Sequence, residues 1–541
     1  MESFDFVVIG AGSGGSAAAS RLSESGKYSV LLIEPGGKTE TFNHRLPLGV
    51  ANLVRDRRYS WQMKTGPENA LGGYDVFSPR GLGLGGSSAI NGMIWSVGAA
   101  EGWDEWLRLG HEGWGWKDIQ PVLQRVESFA EGKPGERGHN GPIHIEWQRP
   151  EALGKAFLAS CEQAGFQAAI DYNNGQAEGF SPLQTNTRNG WRCSAYTGYL
   201  KQAARRSNLV IRTGLYAHRL IMEGRQVTGV RCLFRDGERE GGVLDVRARR
   251  EVILAAGAYH SPMLLERSGI GDPVILNKHG IKVLHANAHV GANLLDHMRH
   301  CICYRVNGAL TVNDIATGFT GKARGAADFF LRRRGWLRTA SMNAQLITRS
   351  GVDGDKADLK LQLNGVSNDF SRHGQLGYPY ESQPGLSLLS FPIYPRSRGR
   401  IHITGDRPWD HPEIHTGFLE HEYDQAVTVE GFKLARRIGA QPAFSPFLVD
   451  ETFPGVDVRS DQELLDYARG TGLTVYHPVG TCRMGGEGEG VVDRRLKVHG
   501  IDGLRIADAS IMPTLPATNT NAPSIIIGER AAEWALQDNG R

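Results

Sequence analysis

The sequence predicts a mixed α/β fold (α/β with α+β features) opening on a Rossmann-type βαβ unit, and three observations carry that prediction. Phe4–Ile9 is an apolar run rich in β-branched residues, long enough for one buried strand. Gly10, Gly12 and Gly15 follow in the G-x-G-x-x-G spacing and lead into the small, helix-compatible run Ser16–Leu22. A second apolar run, Tyr28–Ile33, ends in the acidic Glu34.

Each part of this unit has a physical task. Gly10 permits the tight turn out of the strand, Gly12 lets a pyrophosphate approach the backbone, and Gly15 lets the helix sit close to the sheet. The helix N-terminus offers unpaired N–H groups and the positive end of its dipole to phosphates. Glu34 is placed to accept both ribose hydroxyls of an adenosine, and its charge would repel a 2′-phosphate, which argues against NADP. With 70 glycines in the chain the spacing alone is weak, but strand, turn, helix, strand and acid stand in register. The unit leaves NAD and FAD both open.

The 541 residues suffice for two domains or one domain with an insertion. Apolar content of 40% and charged content of 22% describe a globular protein. A net charge of +3, with no long basic block, argues against a nucleic-acid partner. Cys161, Cys193, Cys232, Cys301, Cys303 and Cys482 include no C-x-x-C and read as reduced thiols of a cytosolic protein. The chain enters its first strand without a signal-peptide pattern, and no apolar run reaches the ~18 residues of a membrane span. A cytoplasmic location is expected, with peripheral contact at a membrane left open.

Pro35-Gly36-Gly37 marks a turn, and Arg80–Trp95 (RGLGLGGSSAINGMIW) is a second glycine-dense stretch suited to a loop against a flat ligand. Trp103, Trp106, Trp114 and Trp116 read as packing rather than a binding cage. Pro142–Trp147 alternates as a strand, NLVIRTG and VTGVRCLF read as a hairpin-like pair, and Val246–Leu254 as a buried strand ending in Ala255-Ala256-Gly257-Ala258. Strands at Leu359–Leu363, Leu386–Ile393 and Arg400–Thr404 alternate with helical patterns in a separate layer. Ala326–Arg338 joins aromatics to arginines; a solvated helix face is the plainer reading, an interfacial helix the alternative.

The C-terminal segment carries the candidate chemistry. In VYHPVGTCRMG, His477 lies just before Pro478 and a run of small residues, which puts it at the tip of an element. Leu504–Asp508 is a strand ending in an acid, and Asn519–Arg530 opens a final helix. Asn521 sits near that helix start, where capping is the ordinary use of an asparagine.

These motifs, taken together, resemble the glucose–methanol–choline (GMC) flavoprotein oxidoreductases along the whole chain. The resemblance is carried by GAGSGG with Glu34, by Pro79–Asn91, by Gly257–Gly271, by VGANLLDH at Val290–His297, by Tyr394–Ile401, by HPVGTCRMG at His477–Gly485, and by Asp508–Arg530. It implies a Rossmann-type FAD-binding domain with a discontinuous substrate-binding domain of mixed sheet plus helices. Segments 1–150, 205–300 and 465–541 are expected to build the first, and 151–204 with 301–464 the second. The implied cofactor is FAD.

The resemblance further implies that His477 is the active-site histidine and Asn521 the second member of a His–Asn pair. Alcohol oxidation needs the hydroxyl proton removed while the α-hydrogen leaves as hydride to flavin N5; an imidazole can take that proton, and an amide can hold the oxygen. Gly86, Ser87 and the run Asn91, Gly92, Met93 and Ile94 are expected along the cofactor, with Asp508 and Ala509 at its ribityl–pyrophosphate region and Ala217 at adenine. Ala89 stands where some members carry a flavin-linking histidine, so noncovalent FAD is expected. Leu82 replaces a usual basic residue. A glutamate that pairs with choline in some members appears here as Asn343, which argues against choline. The expected activity is oxidation of a primary alcohol to an aldehyde with a non-oxygen acceptor such as a quinone. An oxygen-using oxidase and an FAD-containing hydroxynitrile lyase are the alternatives.

Overall fold

The computed structural model describes residues 1–236, 239–354, 356–372 and 378–540. Two seven-stranded sheets organise them. In the first, Leu209–Thr213, Val30–Glu34 (β2), Glu2–Ile9 (β1) and Arg239–Leu254 run parallel, and Leu504–Ile506 pairs parallel with the last of these. Phe6–Ile9 and Val30–Ile33 are fully buried, as a continuous apolar run requires when both faces of a parallel sheet are covered. The helix Ser13–Leu22 (α1) connects β1 to β2.

The hairpin lies elsewhere than expected. NLVIRTG forms the outer parallel strand beside β2, while Leu215–Glu223 pairs antiparallel with Gln226–Asp236 across Gly224-Arg225. Gly224 adopts φ +63°, which gives the turn its chemistry; the polar residues of the strand LYAHRLIME hide its alternation in the sequence. Pro142–Trp147 is likewise two short pieces: Ile143–His144 pairs with Glu127–Ser128 and Glu146–Trp147 with Gln184–Thr185.

The second sheet runs Leu448–Phe453, Met298–Val306, Gly385–Pro392, Leu359–Asn364, Met342–Thr348 and Gly179–Pro182, with Leu473–Thr474 also on Met298–Val306. The expected boundary at 300 therefore falls inside a strand, and Leu473–Thr474 joins the second sheet although it follows the boundary drawn at 465. Arg400–His402 forms its own ribbon with Glu413–His415.

Trp103, Trp106 and Trp114 pack in tilted, edge-to-face contacts that continue to Trp534 at 5.4 Å, anchoring the final helix Asn521–Asn539. All six cysteines are buried, and none forms a disulfide. Within 326–338 the helix Phe319–Phe330 ends early; Arg332 and Arg334 pair with Asp328, and Arg338 with Glu146. Among the described residues no helix is long and apolar enough to cross a membrane.

Candidate active site

A cavity of about 450 Å³ runs between the two sheets. Its floor is the glycine turn: a Cβ on Gly10 (φ +99°) would meet the Ala255 carbonyl oxygen at 2.4 Å. Gly12 and Gly86 meet from opposite loops, a Cβ on Gly86 falling 2.8 Å from Gly12 Cα. Gly15 does not line the cavity; it lies behind, where a Cβ would strike the Gly10 carbonyl at 1.9 Å, so it serves helix–strand packing. Sequence reasoning missed Gly14, where a Cβ would strike the Ala507 carbonyl oxygen at 2.0 Å, and Gly528 of the final helix, where a Cβ would strike the Gly14 carbonyl oxygen at 2.1 Å. The first turn of α1 carries no side-chain cap, which leaves its N–H groups available.

Glu34 binds the loops together. It accepts N–H bonds from Ala11 (3.0 Å), Gly36 (3.0 Å) and Gly83 (2.9 Å), so one of roughly four acceptor positions is free for a ligand. Burial raises its carboxyl above the usual range against the pull of those three donors. Asp508 is similarly engaged, by Gly257 N (2.8 Å), Ser261 Oγ (2.6 Å) and Ser510 N (2.8 Å). Ser87, Asn91, Gly92, Met93, Ile94, Ala217 and Ala509 line the same cavity. Ala89 and Leu82 are buried outside it. Arg192, which no motif announced, fixes the Asn91 turn: its guanidinium bonds the carbonyls of His44, Ser88 and Asn91 and the Asn91 amide oxygen.

His477 lies buried at the other end, and the amide on it is not the expected one. Asn519 Nδ2 sits 3.1 Å from His477 Nε2, whereas Asn521 Oδ1 accepts from Ser13 Oγ at 2.7 Å. Asn521 begins the final helix and turns back to the glycine loop; Asn519, still in the preceding loop, reaches His477. Both line the cavity, and Asn521 Nδ2 is buried without a protein partner.

Bonding fixes every proton in this group. His297 Nε2 lies 2.8 Å from the Ile393 carbonyl, which only accepts, so that nitrogen carries the hydrogen. Burial first of all holds His297 neutral, its pKa lowered to about 4, so its Nδ1 is an acceptor. His477 Nδ1, 2.9 Å away, must then donate, which leaves His477 Nε2 with a lone pair facing Asn519. Burial, with the charges of Lys360 and Arg80 adding, keeps His477 well below its usual pKa, hence neutral at pH 7. Asp296 accepts the backbone N–H of both histidines at 2.8 Å. Lys360, its pKa lowered by burial to about 7, donates to Thr518 Oγ1 (3.1 Å) and Asn519 Oδ1 (3.4 Å), so the amide N–H points at His477.

Nothing in the spacing of VGANLLDH assigned these roles to Asp296 and His297; the Ile393 and His477 contacts that define them lie 96 or more residues away in sequence. Asn343 lies outside the cavity, against Gly154, so its identity says nothing about a bound cation.

Buried and half-buried histidines set an acid limit. His44, His218 and His297 are lowered to about 4 and His260 and His300 to about 3, each by burial first. The unfolded chain binds these protons near pH ~6.5, so stability rises with pH through the window from about 4 to about 6.5 and is lost as pH falls through it. Thermal melts should drop by ~10 °C or more between pH 7 and pH 4.5; an unchanged melting temperature contradicts the neutral assignments.

Family profiles described as GMC oxidoreductase match residues 4–299 and 395–528. The "Oxygen-dependent choline dehydrogenase" of Brucella anthropi is 36% identical over 535 residues, covering 98% of this chain and 95% of the relative. That of Photobacterium profundum is 34% identical over 541 residues, covering 98% and 93%. Among solved structures, pyridoxine 4-oxidase superposes with a TM-score of 0.88 at 28% identity over 98% of each chain. A formate oxidase superposes at 0.89 and 23% identity over 100% of this chain and 99% of its own, a likeness of fold.

Proposed function

The chain belongs to the GMC oxidoreductase family and is thus an FAD-dependent oxidoreductase of CH–OH groups; from that premise we propose that it oxidises a primary alcohol to an aldehyde with His477 as the base. The observation that carries this reading is the unprotonated His477 Nε2 beside the Asn519 N–H in the cavity. The cavity fits the cofactor: the Gly12–Gly86 approach forms a cradle that any Cβ would fill, and the buried Asn521 Nδ2 lacks a protein partner. Gly10, Gly12 and the α1 N-terminus would hold the pyrophosphate, Glu34 the ribose, the Ala217 backbone adenine, and Asn91–Ile94 with Asp508 and Ala509 the remainder. When bound, FAD supplies the hydride acceptor at flavin N5.

The protein's own part is proton management and alignment. An alcohol oxygen between Asn519 and His477 accepts from Asn519 Nδ2 and donates its proton to His477 Nε2. His297, its Nε2–H held by the Ile393 carbonyl, accepts at Nδ1 from His477 Nδ1–H and so fixes the tautomer that leaves His477 Nε2 free to take the proton. Ala89 offers no nucleophile to the flavin, which supports noncovalent FAD; acid precipitation should leave all flavin in the supernatant, and yellow protein in the pellet would contradict it.

Two points extend the sequence reading. The relatives are named oxygen-dependent or oxidases, which favours oxygen as acceptor over the quinone expected from sequence. Choline, which their names would suggest, is disfavoured by the charges around the cavity. Anaerobic mixing with a panel of alcohols tests the function: one class should bleach the flavin and yield aldehyde. Recovery in air identifies an oxidase, and recovery with a quinone or dye alone a dehydrogenase. No bleaching by any alcohol overturns the proposal.

A further inference from the structure

The second sheet presents one face to the cavity, and that face carries polar groups for which the protein supplies no partner. Met342, Gln362, Asn364, Leu389 and Phe391 all line it. Gln362 Nε2 and Asn364 Oδ1 are buried without hydrogen-bond partners, in side chains 1% and 6% exposed. Arg299 belongs to the same face: His300 pairs with Ser390 and Cys301 with Leu389, so the next step of that register sets Arg299 beside Phe391. Its guanidinium bonds Cys301 Sγ at 3.1 Å, and among the described residues it makes no ion pair. Met298 and Arg299 also pair with Thr474 and Leu473, three and four residues before His477, which ties this arginine to the catalytic segment.

The acids lining the cavity, Glu34 and Asp508, are both occupied at the glycine-loop end by backbone N–H groups. Three guanidiniums line the cavity, Arg299 with Arg55 and Arg80, and among the described residues no acid other than Glu34 and Asp508 lines it. A cation left without a counter-charge in such surroundings is costly, and the cost is offset when an incoming anion pairs with it. A quaternary ammonium would meet repulsion there.

We propose that the substrate is an alcohol bearing a small oxyanion, a carboxylate in the first instance, which Arg299 binds while Gln362 and Asn364 bond its polar groups. The proposal rests on the alcohol-oxidising reading for the fate of the hydroxyl, but anion binding is separately measurable. On this account Arg299 is a specificity residue that orients the alcohol toward His477, and choline is excluded by charge.

Small carboxylates (acetate, benzoate) and their neutral amides are titrated into the FAD-loaded protein, following the flavin spectrum. Carboxylates should bind ~10-fold or more tighter than the amides; Arg299→Gln should weaken them ~10–100-fold and the amides less than ~3-fold, with Arg299→Lys recovering part of the loss. Flavin content of each variant is measured alongside. Equal affinity for carboxylate and amide, undetectable carboxylate binding, or equal losses for both in Arg299→Gln overturn the proposal. In parallel, 4-(hydroxymethyl)benzoate should bleach the flavin faster than 4-methylbenzyl alcohol or choline. Selective carboxylate binding with no bleaching by any alcohol keeps the anion site and sinks the oxidase reading; bleaching that prefers the neutral or cationic alcohol does the reverse.

Discussion

His477→Ala leaves a folded, FAD-loaded protein whose anaerobic flavin reduction is slowed by ~10²–10⁴-fold. The magnitude follows from what the side chain contributes: without Nε2 the hydroxyl proton has no acceptor at the atom where charge develops. Among the cavity residues His477 is held with its lone pair toward Asn519 by a chain of bonds ending at the Ile393 carbonyl. Lys360 and Asn519 cannot substitute, since the amide does not titrate and the amine is committed to Thr518 and Asn519. Flavin retention is expected because His477 touches none of the glycine loops. Near-normal reduction by the purified, loaded variant would remove His477 as the base.

The second large effect separates two asparagines. Asn519→Leu should slow reduction ~10²-fold by deleting the one N–H aimed at the alcohol oxygen, with FAD affinity unchanged. Asn521→Leu should instead loosen the Ser13 contact at the glycine turn and release FAD more readily. Stopped-flow reduction rates and flavin dissociation constants for both variants decide the matter. If Asn521→Leu carries the rate loss and Asn519→Leu the weaker FAD, the geometric assignment is wrong.

That pair also marks the limit of what the sequence discloses. The βαβ opening was legible because its grammar is local: buried strand, glycine turn, helix and acid follow one another in Phe4–Glu34, and they fold as read. His477 stood out for the same reason, lying beside Pro478. Asn519 and Asn521 differ by two positions in one loop, and only the point where the final helix begins decides which one reaches His477. Asp296, His297, Lys360 and Arg299 come from the second sheet or its approach, and their meeting depends on strand pairings between segments far apart in sequence, such as Met298 with Thr474 and His300 with Ser390. The strand Leu215–Glu223 is not legible in the sequence because a half-exposed strand with polar residues on both faces has no clean period.

The most direct test of the central claim is the isotope effect on anaerobic flavin reduction, using an alcohol that bleaches the flavin and its α-dideuterated form. Hydride departure from the carbinol carbon, aligned by Asn519 and initiated at His477 Nε2, predicts a several-fold slower reduction of the deuterated alcohol. Equal rates for the two, with binding shown to be faster than bleaching, would contradict hydride transfer as the step this cavity performs.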